Sequence, residues 1–550
     1  MIGLKNLKSL SFIAISVVTL GACFPEKTPV SPGETTAAPF TGTGSASTAT
    51  ATGTASADCP AGFTNVGIVA SNTLRACQLP SKITGTLVVP RRAGTVYAIS
   101  GRVDVGEDLG GNSTTPVTGR LPGVLSIEPG VRLFGSAGLD YIVVNRGSRI
   151  LADGTATLPI IFTSRQSIDG TTGIDSIGQW GGLVILGRAP TSNCSAPGAT
   201  PGSATCEAQV EGTSAFFGGD SATDNSGILR YVRVMHSGFQ ILPNNELNGI
   251  TLAGVGTGTV VDFVQVHNSS DDGIEWFGGT VNAKHLVLTG NDDDNLDTDV
   301  GFSGSNQFVI VIQRAGGGDR IIEASSAGTA PRSAPKISNF TFVSRAVAGG
   351  GDPLTFNSST GYNLSNGIVV AAGTAVSCLD IDATSTSATF NSVRLACGTP
   401  FRDDTDVNAA AAAVFFNAGT NNSSAHVSTL TGTFINGANE SAVPVFNATT
   451  VSTAFTATTY IGALRDNADT WYAGWTCGLP GGTSCRSLRG WREPSPPFCH
   501  SIRFPNHEEV SQGPASAAPS QHRACRAQYC PGAGATHARR RGHCPRRPYS

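Results

Sequence analysis

Seven carboxylates carry the most chemically suggestive pattern in this 550-residue chain. Asp271, Asp272 and Glu275 recur after a step of 22 as Asp293, Asp294 and Asp297, and the same step from Asp297 reaches Asp319. If each step is one coil of a stacked structure, adjacent coils lie ~4.8 Å apart and the acids form columns. Like charges opposed on neighbouring strands repel, by about 1 kcal/mol per pair in water and by more where water is partly excluded. Calcium would offset that repulsion, because it gathers roughly six to eight oxygens at about 2.3–2.6 Å. The competing reading is a polar ladder of Asx turns, in which the same side chains bond local backbone amides. His236, His267 and His285 lie in or beside strand-like runs at spacings unlike a metal set, and are expected to be packed or surface residues. No Ser/His/Asp set, phosphate-cradling glycine loop or CxxC pair appears.

The elements that must position these acids are short strands. Across residues 261–313, apolar side chains alternate with other types, the period-2 pattern of a strand with one inward face. A step of 22 carries Val264 and Val266 to Leu286 and Leu288, and another carries those to Phe308 and Ile310. Self-similarity at that period marks a solenoid. Short strands joined by Gly, Asn and Asp turns predict an all-β, right-handed parallel β-helix with about 22 residues per coil in its centre. Ile274 and Leu296 are then inward residues, and the seven acids form an outward patch, with Asp271 under Asp293, Asp272 under Asp294, and Glu275 under Asp297 and Asp319. Earlier coils read as shorter, since Gly130 precedes Gly147 by 17 and Leu125 precedes Val143 by 18. A loop over 189–209 leaves the solenoid, and a longer step of 32 links Tyr231 and Val234 to Phe263 and Val266. One helix is expected over 406–416, with Asp406 as its N-cap, closing the open end of the solenoid.

The chain ends read differently. Lys5 and Lys8 precede an apolar run, and Leu20-Gly21-Ala22-Cys23 resembles a lipobox, so residues 1–22 are expected to be a lipoprotein signal peptide with lipid on Cys23. Residues 23–57, rich in Thr, Ala, Ser, Gly and Pro, form a flexible tether to a β-helix domain over 58–485. Phe24 follows the lipid site, which points to the outer membrane or cell surface. Residues 486–550 hold 11 Arg, no Lys and three acids, with no hydrophobic period. They read as a disordered, out-of-frame tail. The whole chain carries a formal charge of −3, which argues against a nucleic-acid partner. Export implies an oxidising compartment, and near-neighbour pairing predicts disulfides Cys59–Cys77, Cys194–Cys206, Cys378–Cys397 and Cys477–Cys485.

Four pieces carry a resemblance: GQWGGLVILGRAP (178–190), GGDSATDNSGILRYVRVMHSG (218–238), the stretch 248–304, and TYIGALRDNADTWYAGWTCGL (459–479). In that order they resemble bacterial surface and secreted right-handed β-helix proteins of pectin-lyase-like architecture, including leptospiral-type outer-membrane lipoproteins. The last piece resembles the family's chain end, which makes the basic tail look foreign. The resemblance implies fold and surface location, with binding or display as the role and a polysaccharide or another surface protein as partner. Related β-helix folds also include lyases and hydrolases of acidic polysaccharides. On that alternative, Asp271, Asp272, Asp293 and Asp294 would be the carboxylates and Lys284, Arg314 or Arg320 the base. No motif places such a base beside the acids, and fold does not imply function. The expectation leans away from catalysis.

Overall fold

A strand such as Leu296–Asp299 buries Leu296 and Thr298 and turns Asp297 and Asp299 outward. So short a strand with one apolar face cannot stand alone and must stack on copies of itself. The computed structural model describes residues 53–479 and Cys485, apart from 243–244, 316–317, 327–329, 346–349 and 372–375. They belong to one compact unit, Met1–Arg489. The signal peptide, Cys23, most of the tether and the basic tail lie outside the described residues.

The stacking is that of a parallel β-helix. The two large sheets have 15 and 11 strands, and apart from the antiparallel opening pair Thr64–Val69 and Leu74–Gln78 their neighbours are parallel strands of successive coils. The apolar interior runs from Cys77 to Phe416 as one continuous cluster.

Early coils have three strands each, as in Gly123–Ile127, Arg132–Gly135 and Tyr141–Val144. From Gly227–Met235 onward two of these are fused, since that strand pairs with Arg149–Asp153 through one half and Ile160–Ser164 through the other. The fusion bends at Tyr231, whose φ is 48°, and the bend repeats at Phe263, His285, Phe308, Asn339, Asn366 and Ser392, all left-handed. Such a backbone is costly for bulky residues. Ring stacking offsets part of that cost, with Tyr231 on Phe263 at 4.4 Å, Phe263 on His285 at 4.1 Å and His285 on Phe308 at 4.9 Å.

Several sequence registers need correction. Leu286 and Leu288 pair with Val309 and Val311, so that step is one residue longer than expected. Leu125 pairs with Ile150 and Val143 with Val184, so the short early spacing joined different faces of one coil. The helix spans Ala409–Asn417, and its N-cap is Asn408, which accepts from the Ala411 N–H at 3.0 Å. Asp406 instead accepts from the backbone of Ala383 and Val407.

That helix covers the last coil, with Phe416 buried against Phe390 and Phe401 at ring distances of 5.2 and 5.6 Å. Phe416→Ala should cost about 3–5 kcal/mol by leaving a cavity under the cap. Asn408→Ala should cost about 1 kcal/mol. Urea denaturation of the two variants checks the order, and equal costs would mean that the cap is not packed on the core.

Residues 423–479 run back along the outer face of the larger sheet as a strap. Buried amides hold it. Gln265 donates to the Cys477 carbonyl and accepts from its N–H, both at 2.9 Å. Gln307 does the same with Thr456, both at 2.8 Å, and Asn366 with Phe446, both at 2.9 Å. Each amide thus imitates one rung of a strand ladder. All four expected disulfides form, with Cα–Cα distances of 5.6, 4.6, 6.0 and 5.1 Å in chain order.

Candidate metal centre

The smaller sheet aligns its coils so that outward positions fall in a line. Strands Ile250–Ala253, Ile274–Phe277, Leu296–Asp299, Ile322–Ala324 and Leu354–Phe356 pair in parallel, placing Thr251, Glu275, Asp297, Glu323 and Thr355 in one column. The turns that lead into these strands carry the other acids. The Asp319 N–H donates to the Asp293 carbonyl at 3.2 Å, so Asp319 continues the Asp271–Asp293 column. The Asp294 N–H donates to Asp272 Oδ1 at 3.1 Å, and the Arg320 N–H donates to Asp294 Oδ1 at 2.6 Å. The second column therefore reads Asp272, Asp294, Arg320.

Two expectations change here. Asp319 does not stack on Asp297; Glu323 does, because the turn after Gln313 lengthens the step. Nor is the set an outward surface patch, for Asp272, Glu275 and Asp294 are only 6%, 5% and 2% exposed. Two hairpins outside the repeat bring further acids close: Glu211 lies between strands Ala208–Gln209 and Phe216–Phe217, and Glu246 ends Asn245–Glu246. They are tied together by the Gly212 N–H donating to Asn245 Oδ1 at 2.9 Å. Glu211, Glu246, Glu323 and the neighbouring Asn248 had no signature in the repeat, since they sit in insertions or after a lengthened step.

Crowding and burial keep protons on these carboxyls. Burial, then the charges of Asp293, Glu211 and Glu246, push Asp271 up to about 8. Burial with Asp319 and Glu323 pushes Asp293 up to about 6. Asp272, Glu275, Asp294 and Asp297 are held well above the usual carboxylate range, by burial first and then by neighbouring acids. Arg320 joins one end of the group, ion-paired with Asp319, with Glu323 at 3.3 Å and with Asp294 at 3.8 Å. Lys284 lies on the other sheet, donating to Thr456 at 2.8 Å, and Arg314 is paired with Asp292 at 2.8 Å. Of the three candidate bases, Arg320 is the one brought into the carboxylate group.

Three sets of carboxylates have oxygens within 4.8 Å of one another: Asp271, Asp272 and Asp293; Asp272, Glu275 and Asp297; and Asp293, Asp294 and Asp319. All seven sequence candidates fall in these sets. Asp297 Oδ1 and Asn248 Oδ1 are buried without a hydrogen-bond partner among the described residues. The Asn248 amide lies against Glu275, to which its Nδ2 donates. An all-oxygen donor set of carboxylates and one amide suits calcium. Orphaned buried oxygens at its edge are what such an ion would satisfy.

The histidines stand apart. His236 and His267 are buried, and burial depresses His236 to about 4 and His267 well below its ordinary value. His285 is stacked between Phe263 and Phe308 and bonds Asp262 at 2.7 Å.

A family model described as a pectate-lyase-like β-helix domain matches residues 114–476, more than half of the chain. Comparison with curated proteins and with solved structures finds no match.

Proposed function

From the premise that the chain belongs to the pectate-lyase-like β-helix domain family, we propose a lipid-anchored cell-surface protein that binds or displays, its carboxylate columns holding calcium. The observation that carries the calcium reading is the overlap of three carboxylate sets with orphaned buried oxygens at their edge. Anchoring rests on the lipobox-like run ending at Cys23 and on the resemblance to outer-membrane lipoproteins. A polysaccharide or another surface protein is the partner such a role requires. Nucleic acid is disfavoured by a formal net charge of −3. Cys23→Ala should release the protein from the outer-membrane fraction and abolish palmitate labelling. Retention of both would remove the anchor from the account.

One observation favours a second reading, a calcium-dependent polysaccharide lyase or glycoside hydrolase. Asp271 near 8 and Asp293 near 6 differ in the way an acid and a base must differ to share a reaction at neutral pH. Against it, Arg320 is tied up by carboxylates and remains a cation, not a base. The expected result is no new reducing ends and no unsaturated products when acidic polysaccharides are incubated with the protein and calcium. Cleavage lost in Asp271→Asn would establish the enzyme instead.

A further inference from the structure

The first coils of the smaller sheet border an open cleft of about 400 Å³ that includes none of the seven column acids. That volume lies within the roughly 300–1,000 Å³ of small-ligand sites. Its floor is solenoid. Strand Arg102–Val105 buries Val103 and Val105 and turns Arg102 and Asp104 outward, and Lys82 of the preceding coil pairs in register with Asp104. Its wall is the hairpin of Ala208–Gln209 and Phe216–Phe217, an insertion outside the repeat. Arg102 seats that hairpin, donating from Nη1 to Thr213 Oγ1 at 3.0 Å and to the Ser214 carbonyl at 2.9 Å. The Tyr141 hydroxyl bonds the same Thr213 Oγ1 at 2.9 Å. The hairpin thereby holds the ring of Phe216, 37% exposed, beside a row of fixed polar groups.

The charges of the lining cancel. Lys82 pairs with Glu107 at 3.0 Å, Arg102 with Asp104 at 2.7 Å, and Arg120 with Asp108 at 3.7 Å. Asp108 also pairs with buried Arg146, whose other acid is Glu207, so the balance holds behind the lining as well. Asp104 accepts from Asn145 Nδ2 at 2.9 Å. Side chains cross-bonded in this way lose little further freedom when a ligand arrives. An ionic ligand gains no net attraction here and must break an ion pair to reach a cation. A hydroxyl, which donates and accepts at once, can add to a matched row without breaking it. The electron-rich face of an exposed ring suits the C–H face of a sugar.

Resting on the binding reading above, we propose that this cleft binds uncharged sugar residues of a polysaccharide, with Phe216 as the stacking platform and the Arg102–Asp104 pair as the hydroxyl-binding row.

Isothermal titration of the full protein tests this with hexasaccharides of glucose, mannose, galactose and xylose, and with hexagalacturonate as their acidic counterpart. The expected result is saturable binding of at least one neutral hexasaccharide, in preference to hexagalacturonate. Phe216→Ala weakens it by about tenfold. Phe216→Leu, which keeps apolar bulk in the hairpin but no flat face, weakens it as well, and an unchanged melting temperature shows the hairpin intact. Glu107→Gln keeps an acceptor for the Leu121 N–H and unpairs Lys82, so it strengthens hexagalacturonate by roughly tenfold and leaves the neutral sugar nearly unchanged. Neutral binding indifferent to both Phe216 variants would overturn the cleft while leaving a polysaccharide partner standing. A parent that prefers hexagalacturonate would overturn the uncharged class. Binding of no saccharide would overturn the inference and leave another surface protein as the partner of the binding reading.

Discussion

In excess calcium the protein should melt higher than in chelator, and Asp272→Asn/Asp294→Asn should abolish that difference. A ligand that binds only the folded state stabilises by about 2.7 kcal/mol at a hundredfold excess over its dissociation constant. At about 2 °C per kcal/mol for a chain of this size, the gain is roughly 5 °C. Magnesium should do less, because its octahedral water shell is given up reluctantly. The asparagines keep the backbone contacts: the Asp294 N–H still finds an oxygen at position 272, and the Arg320 N–H one at 294. In chelator the double variant should therefore be as stable as the parent or more so, since folding no longer has to protonate two buried carboxyls that are ionised in the unfolded chain. Strong destabilisation in chelator, with no calcium response in the parent, would mean that backbone amides alone are what these carboxylates serve.

Gln265→Leu should cost several kcal/mol despite being close in size and fully apolar. Gln265 is fully buried, and its amide is the partner of both the N–H and the carbonyl of Cys477. Removing it strands two buried backbone groups, at about 1–3 kcal/mol each. The neighbouring strap carries Trp475, packed edge-on to Tyr231 at 5.8 Å and to Phe263 at 6.0 Å, so loosening Cys477 also exposes that contact. Limited trypsin digestion should then cut at Arg465 sooner than in the parent. A cost below about 1 kcal/mol and unchanged digestion would show that the strap is held by its aromatic residues and not by the amide ladder.

The β-helix was legible because its physics is local and repeated. Inward Ile274 and Leu296 and outward Glu275 and Asp297 follow from alternation alone, and the pairing of these strands matches the step read from the sequence. The period failed where the chain lengthened a turn. The stretch between Leu296 and Ile322 is longer than one repeat, which moved Asp319 into the first column and put Glu323 on Asp297. Burial of the acids was illegible for another reason. It comes from packing around the turns that a repeat does not record, and the hairpins inserted in earlier coils that bring Glu211 and Glu246 near Asp271 have no place in the repeat either. The strap was missed because it has no strand period: its backbone pairs with side-chain amides such as Gln307 and Asn366, which look like ordinary turn residues in sequence. The left-handed bends were equally hidden, since Tyr, Phe and His are not the residues that announce a positive φ.

The most direct test of the central claim, that these columns exist to hold cations, is melting temperature against pH in chelator and in calcium. In the unfolded chain the carboxyls lose their protons near pH 4. In the ion-free fold Asp293 keeps its proton to about 6 and Asp271 to about 8. Between those limits the unfolded state binds fewer protons than the folded one, so stability falls as pH rises. The account predicts a melting temperature in chelator that declines from pH 5 to pH 8, and a calcium curve that stays level and lies furthest above it at pH 8. A level curve in chelator that coincides with the calcium curve across the range would contradict it.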